Sequence, residues 1–230
     1  MAAEVPPNIH DLPELRDRME VFRDRIHAGQ VLAEMLSAFD QKGSIVLGIP
    51  AGGVPVAAEI AVKLGLPFDV AVVSKITLPW NTEAGYGAVA FDGTYRLNEE
   101  LLHHLALTQA EIQTGIEKTR AKVFQRVVGF RGEKPLPELS QKNIILVDDG
   151  LASGFTMQVA VEALNKVGAE NITVAAPTGH KTTVEKIAKK VAALYCPNIR
   201  GGWRFAVADA YEKWSDVTET EVREIVKKLL

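Results

Sequence analysis

The stretch "NIILVDDGLASGFTM", residues 143 to 157, sets two adjacent carboxylates, Asp148 and Asp149, between a run of apolar residues and a loop of small ones. After a buried strand, such a loop leaves backbone N–H groups free at the start of the next helix, where the positive end of the helix dipole favours a phosphate. Ser153 and Thr156 add hydroxyl donors, and Gly154 lets the backbone approach closely. Carboxylates beside a phosphate cradle would repel the phosphate unless they accept hydrogen bonds from neutral hydroxyls or hold a divalent cation. A sugar phosphate with vicinal hydroxyls meets both demands.

Taken alone, an acidic pair at a strand end also suits a phospho-accepting receiver site or a magnesium-dependent phosphatase. The loop that follows weighs against both. A P-loop would need Gly-Lys before Ser or Thr, and Gly154-Phe155-Thr156 has no lysine. A dinucleotide fold needs its glycine fingerprint after an early strand, and "GIPAGG" supplies only fragments of one. The bland alternative is a buried strand ending in two solvated aspartates and a helix cap.

The elements that must carry this pair alternate along the chain. Short apolar runs rich in Val and Ile predict strands over Ser44–Ile49, Val70–Lys75, Asn143–Val147 and Ile172–Ala176, with a weaker one over Ala193–Cys196. Between them, Val54, Ala57, Ala58, Ala61 and Leu64 repeat at helical spacing until Gly65, and Met157, Ala160, Val161, Leu164 and Val167 do so until Gly168. Strands without polar alternation, joined by crossover helices, argue for an α/β fold with a central, mostly parallel sheet flanked by helices. Three segments depart from the alternation. Residues 14 to 39 predict a helical arm with Phe22, Ile26, Leu32, Met35, Leu36 and Phe39 on one face. Asp92-Gly93 predicts a tight hairpin projecting from the sheet. Residues 98 to 128 predict one long helix, and "GFRGEKPLPELSQ" after it a loop.

Composition narrows the functions. A chain of 230 residues with 47% hydrophobic and 24% charged residues can fill one core, so a single domain over residues 1–230 is expected. The apolar runs are too short for a bilayer span, and "MAAEVPPNIHDLPELRDRME" lacks a secretory pattern, so a cytoplasmic protein without a membrane partner is expected. A net charge of −3 gives no global attraction to nucleic acid. One cysteine, Cys196, excludes an intrachain disulfide and a multi-cysteine zinc site.

"ILVDDGLASGFTM" resembles the phosphoribosyl pyrophosphate (PRPP) signature of type I phosphoribosyltransferases: apolar residues, two acids, then Ala-Ser/Thr-Gly-x-Thr. "GIPAGGVPVAAEIA" resembles the loop and helix that receive pyrophosphate. With "FRDRIHAGQVLAEML" and "KITLPWNTEAGYGAVAF", these segments resemble a group of bacterial and archaeal phosphoribosyltransferases of unassigned substrate. The resemblance implies transfer of the 5-phosphoribosyl group from Mg-PRPP to a nitrogen acceptor, a nucleobase or related small molecule, with release of pyrophosphate. It implies that Asp148 and Asp149 contact the ribose hydroxyls and Mg²⁺. It implies further that Ala152, Ser153, Gly154, Phe155 and Thr156 enclose the 5′-phosphate, and that Ala51, Gly52 and Gly53 meet the pyrophosphate. Lys75 matches a position that commonly carries a base. Residues 77 to 94 resemble a mobile loop with Glu83, Gly85 and Tyr86 in it. In residues 196 to 230, Trp203, Phe205, Tyr211 and Trp214 offer two readings, an acceptor-binding hood that stacks on a planar base or an anchor of the terminus to the core. A homo-oligomer, a dimer, is expected. Two departures stand out. The related pattern has arginine where this chain has Ala51, which raises the alternative of a PRPP-sensing regulator without turnover, and Ala152 stands where many purine-using members carry an acid.

Overall fold

In the computed structural model, residues 7–37, 43–132 and 134–230 are described, the side chains of residues 82–84 excepted. From the N-terminus, β1 (Ile9–His10) precedes α1 (Arg25–Met35), β2 (Ser44–Gly48), α2 (Gly53–Leu64) and β3 (Phe68–Val70). An antiparallel trio follows, β4 (Val73–Leu78), β5 (Asn81–Ala90) and β6 (Tyr95–Leu97), then α3 (Glu99–Leu102) and α4 (Gln109–Arg131). The chain returns through β7 (Asn143–Val147), α5 (Phe155–Lys166), β8 (Asn171–Ala175), β9 (Thr178–His180), α6 (Lys181–Ala188), β10 (Ala193–Tyr195), β11 (Asn198–Arg200) and α7 (Glu219–Leu229).

The fold is α/β. Six strands in the order β1-β10-β8-β7-β2-β3 pair in parallel, with helices on both faces. The alternation of β7 shows why a parallel strand reads as an unbroken apolar run. Ile144 and Leu146 face the layer that holds α5 and α6, Ile145 and Val147 face the layer that holds α2 and α4, and all four are fully buried. Each such burial contributes about 1.5–3 kcal/mol. Gly65 ends α2 in the left-handed conformation at φ 64°, as a glycine stop should. The apolar face of α5 is buried as the spacing predicts, except that Val167 is only partly covered.

Three expectations are corrected. The run Val70–Lys75 is two strands: β3 ends the central sheet at Val70, and β4 starts at Val73 in a separate antiparallel sheet with β5 and β6. A continuous apolar run carries no mark of the intervening turn. The helix over 98–128 is two, because Asn98 caps α3 and Thr108 begins α4 with a capping box to Glu111; α4 then runs on to Arg131, three residues into the stretch read as a loop. The arm over 14–39 is helical only from Arg25, where Asp24 accepts from the His27 amide, and Pro13–Leu15 forms a single 3₁₀ turn. Phe22, Leu32 and Leu36 are buried, Ile26 is exposed, and Phe39 lies outside the described residues. The Asp92-Gly93 turn is present between β5 and β6, with Gly93 at φ 84° and Asp92 accepting from the Thr94 amide. The strand β1 is too short for any periodicity to reveal.

Candidate functional site

Parallel strands bring their carboxyl ends to one rim, where ligands of open α/β sheets gather. Here β2 delivers the turn Pro50–Gly53 and β7 delivers Asp148 and Asp149 to neighbouring positions on that rim, because β2 and β7 are paired in register from Ser44↔Asn143 to Gly48↔Val147. The peptide between Pro50 and Ala51 is cis. Ala51, Gly52, Lys75, Asp148, Asp149 and Thr156 line one cavity of about 370 Å³. Lys75 and Thr156 also line an adjoining cavity of about 420 Å³, which takes in Ser153, Phe155 and Arg96.

The glycines explain themselves by distance. A Cβ on Gly52 would lie 1.9 Å from Asp149 Oδ2, and one on Gly53 would lie 2.6 Å from the Val147 carbonyl and 2.8 Å from Asp148 Cα. The two loops therefore touch only because both positions lack a side chain. Gly154 is left-handed at φ 68°, and a Cβ there would meet Thr183 and Ile187 of α6. Thr183 Oγ1 donates to the Ala152 carbonyl at 2.6 Å, which pins the small-residue loop against α6. Neither α2 nor α5 has a side-chain hydrogen bond from its N-cap glycine; the Gly53 and Val54 amides donate to the Ile49 and Ala51 carbonyls, and the Phe155 amide donates to Ser153 Oγ at 3.4 Å.

The acidic pair is held asymmetrically. Arg25 of α1 donates Nε and Nη2 to Asp149 Oδ2, each at 2.9 Å, and donates Nη1 to the Ser215 carbonyl at 2.8 Å. The guanidinium lies 3.9 Å from the centre of the Trp214 ring. Tyr211 donates its hydroxyl to the Asp149 carbonyl at 2.7 Å, and burial followed by the Asp149 charge pushes its own pKa well up, so it stays a donor. Burial, and after it the neighbouring Asp149, pushes Asp148 well above the usual carboxylate range. Burial also raises Asp149, against the opposing pull of Arg25. Asp148 Oδ1 accepts from the Asp149 amide at 2.9 Å.

Of the sequence-marked positions, Ala51, Gly52, Lys75, Ser153, Phe155, Thr156, Asp148 and Asp149 line the two adjoining cavities, whereas Gly53 packs under the β7 end, Ala152 is exposed, Gly154 is buried under α6, and Glu83 lies outside the described side chains. Of the C-terminal aromatics, Tyr211 and Trp214 touch the acidic pair or its arginine, Phe205 packs on Arg200 and His180, and Trp203 is 85% exposed. Thr178 is buried in a bond to Asn198. Arg25, Lys122 and Arg126 were not marked by sequence, because nothing in their spacing says that they meet the rim, and Tyr211 was marked only as a C-terminal aromatic, not as a partner of Asp149. Two carboxylates are hard oxygen donors, and no cluster of three or more His, Cys, Asp or Glu occurs among the described residues. That set suits a cation such as Mg²⁺, which takes one or two carboxylates and completes its shell with substrate oxygens and water. No helix is long and apolar enough to cross a membrane among the described residues.

Comparison with known proteins places this rim in context. The profile of the phosphoribosyl transferase domain matches residues 24–210. The chain is 33% identical over 207 residues to the Mycobacterium tuberculosis H37Rv protein named "Putative phosphoribosyl transferase Rv0571c", covering 89% of this chain and 46% of that protein. It therefore spans about half the length of the curated relatives it matches. The crystal structure of TT1426 from Thermus thermophilus superimposes with a TM-score of 0.71 at 32% identity, covering 90% of this chain and 98% of that one.

Proposed function

Because the chain belongs to the phosphoribosyl transferase family, we propose that it transfers the 5-phosphoribosyl group of Mg-PRPP to a nitrogen acceptor, a nucleobase or related small molecule, and releases pyrophosphate. The observation that carries this reading is the meeting of Asp148 and Asp149 with Gly52 and the opening of α5 at one cavity. The loop Ala152–Thr156 takes the 5′-phosphate on backbone N–H groups and the Ser153 and Thr156 hydroxyls. Asp148 and Asp149 accept from the ribose 2′- and 3′-hydroxyls, and Arg25 and Tyr211 fix the orientation of the second acid. Asp148 and Asp149 would hold Mg²⁺ on this rim, and the ion would supply positive charge against the leaving pyrophosphate. The acceptor nitrogen forms its bond to C1 as the C1–O bond breaks; the bonding pair departs on pyrophosphate and the nitrogen's proton passes to water. Positive charge on the sugar is offset by the acid pair, so positioning and electrostatics supply the acceleration and no covalent nucleophile is needed.

Incubation of the purified chain with Mg-PRPP and a panel of nucleobases and small amines, read as pyrophosphate release, tests the reading. PRPP binding without release from any acceptor would favour a PRPP-sensing regulator, which the absence of a cation at Ala51 allows.

The glycine contacts yield a paired expectation. Gly52→Ala forces the Asp149 carboxylate away from Arg25 and weakens PRPP binding about tenfold, the loss of one charged hydrogen bond of about 1.5 kcal/mol. Gly53→Ala meets backbone, so it lowers stability by about 1–3 kcal/mol instead. Urea unfolding and PRPP titration of both variants separate the two effects, and equal behaviour of the two would refute the assignment.

A further inference from the structure

Resting on the phosphoribosyltransferase reading, we propose that Lys122 and Arg126 of α4 are the side chains that receive the pyrophosphate of PRPP. The turn Pro50–Gly53 contributes backbone and no charge to the 370 Å³ cavity, and the β7 rim contributes two carboxylates. A multiply charged anion beside that pair needs cations on the remaining walls. Those walls are supplied by β4, through Lys75, and by α4, through Lys122 and Arg126. Residues four apart share one helix face, so the two α4 cations point the same way.

Arg126 is aimed. It donates Nε to Glu219 of α7 at 3.1 Å and Nη1 to Ser74 Oγ at 3.1 Å, and its side chain is 13% exposed. Lys122, by contrast, is exposed and forms no ion pair among the described residues. One cation is held in place and the other is free to follow the anion. The arrangement moves the anion-binding charge from the loop after β2 onto a helix that lies between the antiparallel sheet and α7.

Calorimetric titration of the full chain with inorganic pyrophosphate in magnesium buffer, and with ribose 5-phosphate in parallel, tests this. Lys122→Ala and Arg126→Gln are each expected to weaken pyrophosphate about tenfold while ribose 5-phosphate stays within about twofold, since only one charged contact per variant is removed. Adding Ala51→Arg to Lys122→Ala is expected to recover most of that loss, because a cation returns to the same cavity from the other wall. Lys122 is exposed, so its alanine variant folds even if Arg126→Gln does not. Unchanged pyrophosphate affinity, an equal loss for both ligands, or no pyrophosphate binding by the parent would each overturn the inference. Pyrophosphate bound through these residues by a protein that takes up no PRPP would uphold the anion site and overturn the transferase reading.

Discussion

Replacing Asp148 and Asp149 together by asparagine is expected to weaken Mg-PRPP binding at least about tenfold, because two hydrogen bonds to charged acceptors become bonds to neutral amide oxygens, each weaker by about 1 kcal/mol. The single variants are expected to part ways in stability. Burial and the Asp149 charge raise the Asp148 pKa, so the protonated side chain contributes stability that is fully present below the unfolded pKa of about 3.9 and is lost as pH rises through the folded value. Asp148→Asn removes that loss, and its melting temperature should exceed the parent's by a margin that grows as pH rises through that folded value. Asp149→Asn leaves Arg25 without a charged partner in a largely buried position and should melt lower. Thermal melts of the ligand-free proteins across pH, with PRPP titrations beside them, check both halves. Undiminished binding in the folded double variant would end the ribose assignment, and superimposable melts for Asp148→Asn and parent would end the electrostatic one.

Hypoxanthine and guanine are expected to be poor acceptors, at least about a hundredfold below the best one in kcat/KM. A positioned acid or base contributes roughly 10²-fold or more to proton transfer, and the methyl group of Ala152 can neither give nor take a proton. The Ala152 carbonyl is already engaged by Thr183, so the backbone there does not substitute for a carboxylate. An acceptor whose nitrogen is nucleophilic at neutral pH without help is therefore expected to be preferred. Steady-state assays with matched concentrations of the purines and a panel of amines decide it. Efficient conversion of hypoxanthine would show that another group performs the proton transfer.

What the sequence made legible is what is local. Each half of the site is a strand, a turn and a helix start in one contiguous stretch, so Asp148 to Thr156 and Ala51 to Gly53 carry their geometry in their order. Gly65 and Asp92-Gly93 were readable for the same reason. Residues 70–75 were not, since an apolar run looks alike whether it crosses one sheet or leaves it. Thr108 and Glu111 did hold a readable capping box, and weighing it against the apolar content of 98–107 would have divided the long helix. Arg25 reaches Asp149 across 124 positions, and Tyr211 reaches it across 62. Contacts at such separation follow from the packing of whole elements, and a lone arginine or tyrosine bears no local sign of them.

The pairing of β1 with β10 and the reach of Tyr211 to Asp149 impose an order on folding during synthesis. Chains emerge from the ribosome at roughly 5–20 residues per second, so Ile9 and His10 wait roughly 10–40 s for their partners at Leu194 and Tyr195. The centre of the sheet, β2 with β7 and β8, can assemble earlier. During that interval the acidic pair lacks the hydroxyl of Tyr211 and the ring of Trp214 behind Arg25. If PRPP binds at this rim as proposed, ligand protection of the nascent chain is expected only after Trp214 has cleared the tunnel.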